Sequence, residues 1–445
     1  MQLKVETGYR EIFGLAGPIA LAMLVPQINF ITNNIFLGGL GEQELASAGI
    51  TGVFYLIFAV IGNGLNNGLQ ALIARRAGQN LPREIGRLFR HGAWIAIIVA
   101  FCGIVITYTL GPLLLRATVH SEATANQVIH FLFIRIWGLP FLYLYSMRNA
   151  LLVGTNQTRL LVWGTLSEAL ANIFFDYALI YGHAGFPRLG FDGAAYASII
   201  AEGVGLFVMF LIIHIKGLNK AFSLFDEIQW DKSIAKTILV QSSPLIAQYG
   251  ISVITWEYFY ILIEHDGERA LAISNIMRNI FGLFGISSWA FASTTNTMVS
   301  NIIGQGRQRE VLPLIRRIAG ISFSVAAIVC IVLNIIPESF LSIYGQGDLF
   351  IREGVPVMRI VSGALLLMAV GCVWLNAVTG TGNTVVNLII EAVTITLYII
   401  YVYLVLEHWN LPITWGWASE GLYWISMFSM SFYYIRSGKW KGKEI

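Results

Sequence analysis

The sequence predicts an all-α membrane protein, with twelve transmembrane helices in two six-helix lobes related by a pseudo-twofold axis along the membrane normal. Three observations predict it. Of the 445 residues, 56% are hydrophobic and only 12% charged, against roughly a quarter charged in soluble domains, and the mean hydropathy is +0.69. The apolar residues collect into runs long enough to cross a bilayer as helices. The two halves of the chain also repeat one another at a fixed offset.

The runs lie at 13–37, 46–72, 92–115, 127–152, 160–181, 192–215, 236–263, 270–300, 314–336, 355–379, 385–406 and 416–435. Short connections join them into one bundle. The segment before the first run is short and polar, and that run is too long for a signal-peptide core, so no cleavage is expected. With the N-terminus placed in the cytoplasm, 21 of the 28 Lys and Arg fall at cytoplasmic ends and loops. This positive-inside asymmetry puts both termini in the cytoplasm of a multi-pass plasma (inner) membrane protein. The mild net charge of +3 gives no support for a nucleic-acid partner. Cys102, Cys330 and Cys372 lie in apolar stretches without paired spacing and read as packing residues.

The repeat has an offset of 226 residues: Pro18 matches Pro244, Leu45-Ala46 matches Leu271-Ala272, Gly78-Gln79 matches Gly304-Gln305, and Gly154 matches Gly380. Six helices per half is an even number, so both halves enter the membrane the same way round, which implies an axis along the normal and a site between the halves. The expected division is an N-lobe at 1–216, a cytoplasmic linker at 217–236 and a C-lobe with its tail at 237–445.

Function is sought in the polar residues that the apolar runs carry, because an ionisable group within a bilayer costs several kcal/mol unless a partner or a wet cavity receives it. Glu168, Asn172 and Asp176 recur at four-residue spacing in the fifth run and share one helix face. The first span offers Asn33 and Asn34 to the same region, and Pro26 in mid-span is a hinge candidate. Glu202, Glu257 and Glu391 are further acids within spans, and Arg135, Arg278 and Arg359 are the basic residues there. Some of these acids are expected simply to pair with those arginines. Glu257 is flanked by Trp256 and Tyr260, a setting suited to an organic cation; with Arg278 these form a candidate C-lobe cation or substrate site. The sequence has no Walker loop, no H-E-x-x-H and no G-x-S-x-G elbow. Neither an enzyme nor a cofactor is expected.

The motifs taken together resemble the multidrug and toxic compound extrusion (MATE) family. The resemblance is carried by Leu15-Ala-Gly-Pro-Ile-Ala-Leu21, Ala77-Gly-Gln-Asn80, Arg135-Ile-Trp-Gly-Leu-Pro140, Asn172-x-x-x-Asp176, Gly193-Ala-Ala-Tyr-Ala-Ser198, Ile303-Gly-Gln-Gly306 and Gly380-Thr-Gly-Asn-Thr384. It implies a monomeric antiporter that exports organic, often cationic amphipathic, compounds by alternating access in exchange for a coupling ion, proton or sodium. It also implies that Asn172, Asp176 and Ser198 lie at the N-lobe cation site. Where the family often has an acid in the first helix this chain has Asn33, which leaves Asp176 as the principal charge there and favours the proton over sodium. Met368 stands near where some members carry an aspartate, while Glu257 resembles the acid of their seventh helix. The competing architecture, a flippase for lipid-linked oligosaccharide, would line its cavity with several basic residues.

Overall fold

The computed structural model describes residues 2–119, 121–226, 230–345 and 347–443, and among them there is no β-strand. The side chains of Leu45 and Ala46 lie outside that description. Twelve long helices follow one another: α1 (Tyr9–Gly38), α2 (Glu42–Gly78), α3 (Pro82–Thr118), α4 (Glu122–Gly154), α5 (Leu161–Tyr181), α6 (Phe191–Ile215), α7 (Lys232–Glu264), α8 (Glu268–Gly304), α9 (Val311–Ile335), α10 (Asp348–Thr381), α11 (Thr384–His408) and α12 (Ser419–Ser437). Helix α4 passes through a 3₁₀ turn at Ile136–Gly138, and α11 ends in a π turn at Tyr403–His408. Each helix matches its predicted run, with α5 starting one residue late, α9 ending one residue early and α12 starting three residues late. Several extend past it, as α3 does through the polar turns that carry Arg83, Arg87 and Arg90.

By length and apolar composition, ten helices among the described residues qualify as membrane spans. The two that do not are α5 and α12, of 21 and 19 residues. Their shortfall has a chemical origin, because α5 carries Glu168, Asn172 and Asp176, and α12 carries Glu420, Arg436 and several serines and tyrosines.

The backbone repeats as the sequence does. Helices α2 and α8 are each 37 residues long and begin and end 226 residues apart. The turns that follow them place Asn80 and Gly306 at φ 60° and 78°, and the turns after α4 and α10 place Asn156 and Gly382 at φ 64° and 87°. The packing repeats as well. A Cβ on Gly154 would lie 2.7 Å from Ile73 and 3.1 Å from the Gln70 carbonyl, while one on Gly380 would lie 2.7 Å from the Asn296 carbonyl and 3.0 Å from Val299. Ile73 and Val299, like Gln70 and Asn296, are 226 positions apart. In each half the fourth span crosses the second at a point where only hydrogen fits.

The chain folds into two compact units, Leu21–Ile246 and residues 2–20 with 247–445. In the first, the stretch read from sequence as a linker packs on α3: a short helix, Leu218–Phe222, lays the Phe222 carbonyl against Gly86, Arg90 donates to the Ser223 carbonyl, and the Asp231 amide donates to His91 Nε2 at 2.9 Å. Positions 227–229 of that stretch lie outside the described residues. In the second unit the N-terminal strap lies on the end of α8. Asn301 Nδ2 donates to the Leu3 carbonyl at 2.9 Å and its Oδ1 accepts from the Val5 amide at 3.2 Å, while Gln305 donates to the Val5 carbonyl at 2.9 Å. Beside the strap, the Arg307 guanidinium holds the Glu310 carboxyl below its usual range.

The repeated crossing predicts that Gly154→Ala and Gly380→Ala each destabilise the protein by about 1–3 kcal/mol, the usual cost of overpacking. Thermal unfolding of the purified variants in detergent checks this, and equal melting of either variant and the parent would contradict it.

Candidate ion-coupling site

Helix α5 is held close to its neighbours at both ends. A Cβ on Gly193 of α6 would lie 2.7 Å from the Leu179 carbonyl, so α6 approaches the last turns of α5 backbone to backbone. The Tyr181 hydroxyl donates to the Phe36 carbonyl at 2.7 Å, which pins the end of α1 alongside. Between these restraints Asp176 is 0% exposed and Asn172, one turn earlier, is also buried. With its amide nitrogen turned towards these acceptors, Asn33 donates to Asn172 Oδ1 at 2.8 Å, to Asp176 Oδ2 and to the Asn29 carbonyl at 3.3 Å. The second carboxylate oxygen, Oδ1, is buried without a hydrogen-bond partner. No Arg, Lys or His among the described residues forms an ion pair with Asp176.

The structure thus brings together Asp176, Asn172 and Asn33. Ser198 is half-buried on α6 and makes no hydrogen bond to them. Pro26 sits on an exposed face of α1, which continues through it as helix.

The other acids of this unit have a different chemistry. Arg135 meets Glu202 through two hydrogen bonds, at 3.1 and 2.5 Å, and its guanidinium lies 4.0 Å from the centre of the Tyr55 ring. This is the pairing expected for some of the intramembrane acids. It explains the Arg135-Ile-Trp-Gly138 motif, because a Cβ on Gly138 would collide with both Glu202 and Arg135. The 3₁₀ turn delivers that glycine to the contact. Glu168 lies close enough to feel Glu202, Arg135 and Tyr145, and its side chain packs where Gly205 leaves room.

In the second unit Trp256 and Arg278 both meet the Tyr260 ring, the two ring centres of Trp256 and Tyr260 lying 5.7 Å apart, while Glu257 stands apart. Glu257 and Arg278 are both exposed and form no ion pair with each other. The Arg278 guanidinium instead lies 5.1 Å from the centre of the Tyr260 ring, and the Tyr260 hydroxyl donates to the Ser274 carbonyl at 2.9 Å. Trp256 turns away from Glu257, and its indole donates to Glu420 at 3.1 Å. Successive residues of a helix point to different faces, so adjacency in sequence misleads here. Glu420 is the acid that sequence reasoning missed: it lies near the start of the last apolar run, 3% exposed. A signal was present in the aromatic flanks Trp415, Trp417, Tyr423 and Trp424. Glu391 is 0% exposed and accepts from Ser252 at 2.5 Å, Tyr423 at 2.6 Å and Gln248 at 3.2 Å.

A bundle of long apolar helices in two repeated halves, with uncompensated acids inside, defines a multi-pass membrane transporter. The MatE family model matches residues 18–178 and again 244–404, more than half of the chain and at the same offset of 226; the chain belongs to the MatE family. It is 26% identical over 391 residues to a probable multidrug resistance protein NorM of Synechocystis, covering 82% of this chain and 81% of that one. With a probable NorM of Thermotoga maritima it shares 23% over 444 residues, 98% and 94% of the two chains. Among solved structures, a MOP superfamily transporter from Pyrococcus furiosus superposes with a TM-score of 0.87 at 17% identity, over 98% of this chain and 97% of that one. A MATE protein in complex with MaL6 gives 0.88 at 17%, over 98% of each chain. At these identities the structures show a shared fold.

Breaking one side of a buried ion pair strands the other charge, at a typical cost of about 3–5 kcal/mol. Glu202→Gln and Gly138→Ala are therefore expected to lower the melting temperature sharply, whereas Glu168→Gln, which strands no charge, is expected to leave it near the parent. Melting of Glu202→Gln at the parent temperature would contradict the pairing.

Proposed function

We propose that this protein is a cation-coupled antiporter that exports organic, cationic amphipathic compounds, with the proton as coupling ion and Asp176 as the residue that carries it. The observation that supports this reading is a fully buried carboxylate that meets only neutral amides and has one oxygen unpartnered. A buried charge without a counter-charge is costly, and the cost is relieved when the group binds a proton or a cation. Sodium would need several oxygen ligands. Asn172 Oδ1 already accepts from Asn33, and Asn33 brings no second negative charge. A proton needs only the free oxygen.

Drug and proton need not touch. Each has only to favour a different conformation, since a ligand shifts an equilibrium by its differential affinity and by nothing else. Pro26, in the part of α1 that leads to Asn33, is the position where we place the bend that links the two ligands. The multidrug resistance relatives support organic substrates. The flippase alternative calls for free basic groups in the cavity, and Arg135 is already bound to Glu202. In this reading the protein acts as a monomer in the inner membrane with both termini in the cytoplasm.

In proteoliposomes, an inward-directed pH gradient in sodium-free buffer is expected to drive export of a fluorescent organic cation, and Asp176→Asn is expected to abolish it at normal expression. Transport that demands sodium and ignores pH would reverse the choice of ion. For topology, Arg87→Cys and Arg317→Cys in a Cys-less background are expected to react with an impermeant maleimide only from the cytoplasmic side. Labelling of intact cells from outside would reject that orientation.

A further inference from the structure

The 226-residue repeat maps the residues of the Asp176 site onto the second unit. Asn33 corresponds to Phe259, Asn172 to Tyr398 and Ser198 to Trp424, so the amides and hydroxyl of one half are replaced by rings in the other. Asp176 corresponds to Val402, yet the location is not apolar. Glu420 precedes Trp424 by one helical turn and therefore shares its face of α12. Trp256 donates to its carboxylate, and the buried Tyr398 hydroxyl and Trp424 indole N–H nearby have no hydrogen-bond partner. Glu391 precedes Tyr398 by two turns of α11, on the same face. Tyr423 links the two acids: its hydroxyl donates to Glu391, and its ring lies 6.0 Å from that of Tyr398 and 4.9 Å from that of Trp424.

We propose that Glu391 and Glu420 form a second proton-binding site, contained within the second unit and built on α7, α11 and α12.

Neither acid has a counter-ion. The titratable groups around them are Cys372 on α10 and Tyr423 on α12 beside Glu391, and Tyr260 on α7 and Tyr398 on α11 beside Glu420; Arg278 on α8 lies over the Tyr260 ring, and Glu257 is exposed on another face of α7. No ion pair to Glu391 or Glu420 occurs among the described residues. Independent of the acids, two polar groups are left for a proton to satisfy. Gln248 is 4% exposed, and while its Nε2 donates to Glu391 its Oε1 has no partner. If the amide turns over, that oxygen accepts from a protonated Glu391, so Gln248 is equipped for both states of the acid. Tyr398 Oη, also buried, lies beside Glu420 outside hydrogen-bonding geometry.

The surroundings select the proton over larger cations. An indole N–H donates and has no lone pair for a metal ion, and Glu420 is flanked by two indoles. Glu391 already accepts from three donors, which hold its carboxylate without a cation. Full burial of both acids excludes an organic cation. Ser252 and Tyr423, which are only half-buried, give protons a short path to Glu391.

The proposal deepens the proton-coupled reading and rests on it for any role in transport, but the binding itself is read without transport. Infrared difference spectra of the purified full-length protein in liposomes, between acidic and alkaline buffer, report protonated buried carboxyls as carbonyl bands. We expect Glu391→Gln and Glu420→Gln each to lose a band that persists in Asp176→Asn. Full carboxyl bands in both glutamine variants would overturn the proposal, whatever the Asp176→Asn transport assay shows. Should a glutamine variant fail to fold, Tyr423→Phe keeps the test open: loss of the hydroxyl partner is expected to shift the frequency of one carboxyl band, and an unshifted spectrum counts against the site.

Discussion

The first unit buries a carboxylate that has no counter-charge. Asp176 is enclosed by α1, α5 and α6 and touched by an amide, not by a base. The contrast with Glu202, in the same unit, gives this arrangement its meaning. Glu202 is neutralised permanently by Arg135, down to a glycine that clears the space for the pair. An acid with a fixed partner is structural. One that is buried as deeply without a counter-charge carries a cost that the folded state does not otherwise compensate. The difference between the two acids lies in one missing guanidinium.

The repeat shows how one backbone supports two chemistries. Gly154 and Gly380 meet the same pair of positions in the preceding helices, and the left-handed turns fall at matched residues. Steric requirements of this kind tolerate only glycine, or asparagine in the turns, so they persist when everything around them changes. The polar positions obey no such rule. At the places corresponding to Asn33, Asn172 and Ser198 the second unit has Phe259, Tyr398 and Trp424, and its acids enter from other turns of the same helices.

How much of this was legible in the sequence follows from the same distinction. Helix number, helix order and the repeat were legible because apolar run length and matched glycines are one-dimensional signals. The Asp176 site was legible because a four-residue spacing fixes a helix face without knowledge of the neighbours; the contact with Asn33 needed only that α1 lie beside α5. The second unit was not, because its contacts are set by rotation of helices about their axes. Trp256 and Glu257 are adjacent in the chain, yet the ring is turned to Glu420 and the acid is exposed. Glu420 went unread because it enters the apolar run near its edge, where an acid resembles a span terminus. The packing of 217–236 onto α3 was hidden for a related reason: mixed charge reads as a free loop, whereas His91 and Arg90 hold its backbone in place.

The last constraint lies in the long helices that open each half. The compact units divide α1 after residue 20 and α7 after residue 246, again 226 apart, and Pro18 and Pro244 stand two residues before each division. A proline within a helix removes one backbone hydrogen bond, and in both helices it stands beside this division. Helix α1 is tied at its start to Asn301 and Gln305 by the strap, and near its end it presents Asn33 to Asp176. The helix that meets the acid through Asn33 thus has its first turns in one compact unit and the rest in the other. Coupling between sites requires an element with two arrangements whose balance each site biases. Among the described helices, α1 combines a direct hydrogen bond to the buried acid, a proline two residues before the division and an anchor in the other unit.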